Sequence, residues 1–335
     1  MTTQPAAPAT IRSVAALAGV SVAAVSRFVN HKQRFTPEVE ARMAQAIAQL
    51  GYRGNAAARS VATGRSGAVA ALVAGVDNPY AAALVKGLCR VALAQGYDVL
   101  FVDTQHSPST RDELDRVMAM QVDGLLIAAD LPAGSSELLA RYGRPVLDLA
   151  KGPGADAVGA PTSQHAAGAL LGRYLVHSGH RRVSFVACAA LPSNAERLQG
   201  LREALADASL SLAVHHASQA TAQGGAAVAS AVLLAAQRPD AVVAANDPLA
   251  MGLLSEARVL GVAVPGEVSV AGMENAPFGR YLSPALTSVE LHADELGARA
   301  MSRLLAAVRG QPEPLAAALP EPQLVLREST RARSD

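Results

Sequence analysis

Over residues 10–50 the apolar positions recur at spacings of three and four, the period of an amphipathic helix. Three short helices are predicted there. The first runs through Val14, Leu17 and Ala18, with Thr10 as its cap and Gly19 as its stop. The second runs from Val22 to about Val29, with Ser21 as cap and Val25 and Phe28 facing inward. The third opens on Thr36 and Pro37, a cap and first-turn pair. It passes through Val39, Met43, Ile47 and Leu50 and stops at Gly51. Residues 55–62, NAAARSVA, are helix-capable but weakly amphipathic, and TGRSG at 63–67 reads as a linker.

From Ala68 the pattern changes. Short apolar runs alternate with helical stretches: 68–74, a helix from about Pro79 to Gln95, 98–102, a helix, 124–129, a helix and 145–149. The rhythm resumes with 182–187, a helix near 195–207, a run near 211–216, a helix near 222–237, 241–245, a helix near 248–260 and 268–272. Strands alternating with helices predict an α/β body of doubly wound parallel sheets behind an all-α head. Two such series predict two lobes with a cleft between them. Open α/β sheets bind ligands at the carboxyl ends of their strands, so the cleft is the expected ligand site.

Composition adjusts this picture in three places. Aromatic residues make up 3% of the 335-residue chain and Trp is absent, so Ala, Val and Leu must build the core. No uninterrupted apolar run of about 18 residues exists, so no membrane span is expected. The first ten residues lack the basic start and apolar run of a secretory signal, and Cys89 and Cys188 lie far apart in apolar contexts. Both point to a cytoplasmic protein with buried, reduced thiols. Charge is divided unevenly: residues 1–65 hold eight Arg and Lys against two acids, a net +6, and the remainder sums to −5. A small basic head on an acidic body implies that the head meets a polyanion.

Residues 10–30, TIRSVAALAGVSVAAVSRFVN, read as helix, tight Gly-containing turn and second helix. Such a unit lays its second helix in the major groove of DNA, braced by the first. Val22, Ala23 and Arg27 fall on the outward side of that helix. Arg27 can donate a bidentate pair to guanine, and Val22 and Ala23 offer apolar contact. Ser21 and Ser26 suit phosphate oxygens.

This segment resembles the DNA-binding head of the lactose/galactose repressor family of bacterial transcriptional regulators. AGVS at 18–21, VSR at 25–27, Asn30, GYR at 51–53, NAAARS at 55–60 and TGRSG at 63–67 follow in order. DNPY at 77–80, VDGLL at 122–126, SGH at 178–180, RLQG at 197–200, AANDPLAMG at 244–252, VSVAG at 268–272 and SPALTSV at 283–289 carry the resemblance onward. It covers nearly the whole chain. The resemblance implies a helix-turn-helix head at 10–53, a hinge helix and linker at 54–66, and at 67–330 an effector-binding and dimerisation core like the periplasmic sugar-binding proteins. Lobe 1 of that core takes about 67–161 and 292–320, and lobe 2 about 162–291 and 321–330. It implies a homodimer on a palindromic double-stranded operator, contacted through Thr10, Ser21, Val22, Ala23, Ser26, Arg27, Asn30, Tyr52, Asn55, Arg59 and Val61. Departures stand at Ala24, where Thr is usual, at Gly54 for Pro, at Val61 for the leucine that wedges into the minor groove, at Thr162 for Asp and at Glu274 for Asp. They bear on operator bending and on which effector is bound.

Asp148, Asn246 and Glu274 follow predicted strands, and Arg197 opens the helix after one; Tyr80 begins the first core helix. By resemblance Asp148, Arg197, Asn246 and Glu274 contact the effector and Tyr80 lines its pocket. An acid, a guanidinium, an amide and an aromatic ring suit the hydroxyls of a sugar, polyol or sugar acid. Asp247, before Pro248, reads as the cap of the next helix. The pair His215-His216 has no metal-ligand pattern beside it, and no phosphate loop, GxGxxG or GxSxG motif is present, so neither metal, cofactor nor catalysis is expected. A periplasmic-type sugar-binding protein without a DNA role and a nucleotide-dependent enzyme are the alternatives.

Overall fold

The computed structural model describes residues 9–29, 33–52, 64–105, 109–129, 131–149, 164–189, 191, 193–311 and 320–332. The chain divides into two compact units, Met1–Ser66 and Gly67–Asp335. In the first, α1 (Ile11–Ala18) and α2 (Val22–Val29) meet at 107° and α3 (Pro37–Leu50) packs beneath them. Val14, Ala15, Ala18, Val25, Met43 and Ala46 form the buried centre. Leu17, in phase with the apolar stripe of α1, is nonetheless 48% exposed.

The helix ends follow the cap chemistry in two cases of three. Thr10 and Ser13 form a capping box: the Ser13 amide donates to Thr10 Oγ1 (3.2 Å) and the Thr10 amide to Ser13 Oγ (2.9 Å). Ser21 Oγ accepts from the Ala24 amide at 3.1 Å. Thr36 occupies the cap position of α3, but its side chain accepts no backbone hydrogen bond, contrary to the expectation. Glu38 takes the hydroxyl instead; its own amide and then Thr36 hold its carboxyl below the usual range. Gly51 ends α3 at φ +59, a conformation that side chains rarely adopt.

The second unit holds two four-stranded parallel sheets of the same order. The first comprises β1 (Ala68–Val73), β2 (Asp98–Asp103), β3 (Leu125–Ala128) and β4 (Val146–Asp148), arranged β2-β1-β3-β4. The other comprises β5 (Val183–Ala187), β6 (Leu212–His216), β7 (Ala241–Ala244) and β8 (Ser269–Ala271), arranged β6-β5-β7-β8. Both orders reverse beside the first strand, the switch point where such sheets open a crevice. Near-continuous burial along β1, β5 and β7 matches their unbroken apolar runs.

Several elements are additional to the sequence expectation: α7 (Gln164–His177), α11 (Ala293–Val308), and an antiparallel ribbon of β9 (Ser288–Glu290) with β10 (Gln323–Val325). The helix α11 packs on α4 (Pro79–Ala94), and α7 packs on α8 (Asn194–Ala206). The α7–α8 contact is made by glycine. A Cβ on Gly168 would lie 2.1 Å from the Arg197 carbonyl, and one on Gly200 would lie 2.0 Å from that of His165. This close approach brings the start of α7 against the first turn of α8, and so Gln164 against Arg197.

Candidate functional site

On the head, the α2 surface leaves Ser21, Val22, Ala23 and Arg27 exposed, and Val22 is 41% accessible despite being apolar. The Arg27 guanidinium donates to Gln33 Oε1 at 3.1 Å. Thr10 is exposed and committed to its capping box, and Ser26 is half-buried. Tyr52 is half-buried against the head's apolar centre. Asn30, Asn55, Arg59 and Val61 lie outside the described residues.

In the second unit a cleft of about 760 Å³, open mouth included, lies between elements of the two sheets. Tyr80 and Glu274 line it. Asp148 and Asn246 are not among its lining residues, and Arg197 stands just behind them. Each position has a local cause. Tyr80 sits at the start of α4, where Asn78 Oδ1 accepts its amide at 2.8 Å and Pro79 fixes the first turn. Glu274 follows β8 at φ +137, with Asn275 at φ +49 behind it. Two successive non-glycine residues at positive φ are costly and persist only where the surroundings hold them.

Arg197 is the centre of the arrangement. Its side chain is 0% exposed and that of Glu274 1%. Arg197 Nε donates to Gln164 Oε1 at 2.6 Å, and Nη1 donates to the Ala245 carbonyl and to Glu274 Oε1, the latter at 3.2 Å. The guanidinium carbon stands 5.9 Å from the Tyr80 ring centroid, and Gln164 Nε2 donates to the Tyr80 hydroxyl at 3.3 Å. Arg197 Nη2 and Glu274 Oε2 are buried and have no hydrogen-bond partner. Burial pushes the Glu274 carboxyl up to about 7 against the opposing pull of Arg197, and the Tyr80 phenol up to about 12.

The cap of the next helix is Asn246 and not, as expected, its neighbour Asp247. Asn246, expected at the ligand, is the cap of α10 (Asp247–Val259): Oδ1 accepts from the Leu249 amide at 3.0 Å and Nδ2 donates to the Ala220 carbonyl at 2.9 Å. Asp247, expected as that cap, is the first helical residue, and its carboxylate accepts from the Ala276 amide and the Ser288 hydroxyl, both at 2.6 Å. The correction follows from backbone geometry. Asn246 has the extended φ −148, ψ 170 of a cap, which leaves Asp247 turned toward the crossover ribbon. Burial raises the Asp247 carboxyl to about 6. Asp148 ends β4, half-buried, while the next residue, Leu149, lines the cleft. Sequence reasoning missed Gln164, Asn78, Ser193 and Glu196, which do line it. The Asn78-Pro79 pair was a readable helix start; nothing local marks Gln164.

The helix pair of the head and the two parallel sheets of the second unit find their match among known proteins. Residues 10–55 match the bacterial regulatory proteins, lacI family, and residues 173–330 match a periplasmic binding protein-like domain. The HTH-type transcriptional repressor PurR of Proteus mirabilis is 30% identical over 331 residues, covering 96% of both chains. The chain belongs to the LacI family. It is a ligand-responsive, DNA-binding transcriptional regulator. Among solved structures, a LacI family regulator from Enterococcus faecium with bound ribose is 25% identical, with a TM-score of 0.72 over 80% of this chain and all of that one. The Lac repressor bound to ONPG has the same fold, with a TM-score of 0.87 over 97% of this chain and all of that one, at 23% identity. No single described helix is long and apolar enough to cross a membrane.

Proposed function

We propose that this LacI-family regulator is a cytoplasmic repressor of a sugar or sugar-acid utilisation operon, acting by binding rather than by catalysis. It pairs as a homodimer and sets two α2 helices into successive major grooves of a palindromic operator, about 34–36 Å apart. Val22, Ala23 and Arg27 read bases. Thr10, Ser21, Ser26, Asn30, Tyr52, Asn55 and Arg59 position the backbone, and Val61 enters the minor groove. The boundaries fall at about 53 and 66, with the effector held in the cleft of the remaining chain. Ligand binding there shifts an equilibrium between two arrangements of the lobes and so changes DNA affinity.

The observation that carries this reading is the buried Arg197–Glu274 pair with an unpartnered atom on each side, set in a cleft whose lining includes Tyr80 and Gln164. Buried charges left partly unsatisfied cost stability unless something fills their remaining valences. Ribose bound to the Enterococcus relative supports a sugar as that partner. The test of the DNA half is Arg27→Ala on a duplex selected from random sequence by the full chain. A loss of about 1–3 kcal/mol on the selected duplex, with relaxed preference at one base pair, is expected. Equal weakening on selected and random DNA would make Arg27 a phosphate contact.

A further inference from the structure

Arg27 is a long, exposed cation near the end of a short helix, and that helix does little to hold it. The helix α2 spans eight residues, with Arg27 in its last turn. Three and four positions earlier, where a supporting side chain would stand on the same face, are Ala24 and Ala23. Val25 is fully buried and Phe28 packs against the head's apolar centre, which sets the rotation of α2 and leaves Arg27 outward. That packing fixes where the Arg27 side chain starts. It does not fix where the guanidinium ends.

Among the described residues, one side chain does meet the guanidinium. Gln33 Oε1 accepts from Arg27 Nη1 at 3.1 Å, across six positions of sequence. Gln33 is itself exposed, in the irregular stretch that leads into α3, yet its backbone is anchored close by. Two residues on, Phe35 packs against the head's centre, and its amide donates to Glu40 Oε1 of α3 at 2.9 Å. The chain entering α3 thus holds an amide against the guanidinium from outside α2.

Chemistry fixes the direction of that amide. A guanidinium carries five N–H donors and no acceptor, so Gln33 must turn its oxygen to it and its NH2 group away. The bond occupies Nη1. The edge formed by Nε–H and Nη2–H keeps two parallel donors, the arrangement that guanine N7 and O6 accept together. An untethered arginine can also turn toward the nearest phosphate, a contact that carries no sequence information. One tied at Nη1 samples fewer rotamers before DNA arrives, so less ordering remains to be done on binding.

Resting on the base-reading role given to Arg27 above, we propose that Gln33 is a positioning residue for operator recognition. Its amide oxygen holds the Arg27 guanidinium so that the Nε–Nη2 edge meets a guanine. Preference for that base pair therefore depends on a residue outside the helix that reads it. Gln33 acts through Arg27, and its effect is confined to the base pair that Arg27 reads.

The test is fluorescence anisotropy of the full chain on the duplex selected from random sequence. Arg27→Ala first locates the guanine, as the position whose preference it relaxes. The readout is the ratio of Kd with that guanine replaced by 7-deazaguanine, which lacks the N7 acceptor, to Kd with guanine. Gln33→Met keeps the length of the side chain and removes the acceptor. It is expected to lower the ratio by about threefold to tenfold, the range of one exposed hydrogen bond. Gln33→Glu keeps an acceptor at the same reach and adds a negative charge. It is expected to weaken binding to selected and random duplexes alike and to hold the ratio within about twofold of the unaltered chain. In an Arg27→Ala background, Gln33→Met is expected to change the ratio by less than about twofold, because the two residues act as one unit. An unchanged ratio in Gln33→Met overturns the inference, as does its loss in Gln33→Glu. A further fall in the Arg27→Ala background also overturns it, since Gln33 would then read the base itself. If Arg27→Ala relaxes no guanine position, the base-reading role of Arg27 falls and this inference falls with it. If Arg27→Ala relaxes one and Gln33→Met leaves it intact, this inference alone falls.

Discussion

The two halves of the ligand-binding unit share a strand order, a parallel twist and a flanking set of helices, yet they bury different things. Among the described residues, the half built on β1–β4 lines its cleft face mostly with aliphatic side chains, joined by Asn78 and Tyr80. The half built on β5–β8 buries Arg197, Asn246, Asp247 and Glu274, all at or below 6% exposure, in the same topological position. Topology thus decides where a cleft opens, and the residues at the strand ends decide what the cleft can hold. The aliphatic wall is cheap to keep. The charged wall is held together by mutual contacts that leave Arg197 Nη2 and Glu274 Oε2 open, a cost tolerable where a ligand completes the set.

Removing the centre of the charged wall should show this asymmetry at its largest. Arg197→Ala leaves Glu274 buried without its cation and is expected to cost about 3–5 kcal/mol in denaturant unfolding. Tyr80→Phe, on the facing half, loses only the hydroxyl contact to Gln164 and is expected to cost about 1 kcal/mol. Equal losses would break the comparison. The glycine contacts sharpen it. Gly200→Ala drives a methyl against the His165 carbonyl of α7, and Gly87→Ala drives one against the Asp294 carbonyl of α11, so each should cost about 1–3 kcal/mol. Only Gly200→Ala separates Gln164 from Arg197, so only it should also weaken ligand binding by calorimetry.

The pH dependence of stability follows from the same half. Folding raises the Glu274 carboxyl from 4.5 to about 7 and that of Asp247 from 3.8 to about 6. Both groups hold protons more tightly folded than unfolded, so their contribution is complete below the unfolded values and is lost as pH rises through about 6 to 7. Thermal unfolding of the ligand-free chain should therefore fall between about pH 5 and 8, by at most about 1.4 kcal/mol per pH unit for each group. Glu274→Gln should flatten the upper part of that slope. The smallest contrast lies in the head. Thr10→Ala removes a working cap and should cost about 1 kcal/mol, whereas Thr36→Ala removes a hydroxyl that accepts no amide and should change stability little.

The alternation of apolar runs and helical stretches placed the eight parallel strands within a residue or two; the central strands β1, β5 and β7 are buried along almost their whole length and leave an unbroken apolar signature, and the partly exposed edge strands β2 and β6 were placed by the rhythm between helices. The ribbon of Ser288–Glu290 and Gln323–Val325 left no such trace: three residues per strand are too few for a period, and the partners lie far apart in the chain. The helix α7 was equally hidden, since Gly168 and Gly172 interrupt its packed face and a glycine in close helix contact reads locally as a breaker. In the cleft, Tyr80 and Glu274 were legible because a strand end or helix start points them there. The cap was assigned to Asp247 instead of Asn246 because both are good caps and one residue of phase separates them. Gln164 was invisible, since its partner Arg197 lies 33 positions away and only the α7–α8 contact joins them.

The central claim is that a basic head delivers this protein to DNA and gives the cleft something to regulate. Fluorescence anisotropy of the full chain on a duplex selected from random sequence, repeated from about 50 to about 200 mM salt, tests it directly. With a net +6 on residues 1–65, affinity should fall by about a thousandfold or more across that range as counterions are released. Affinity that does not change with salt would contradict the account.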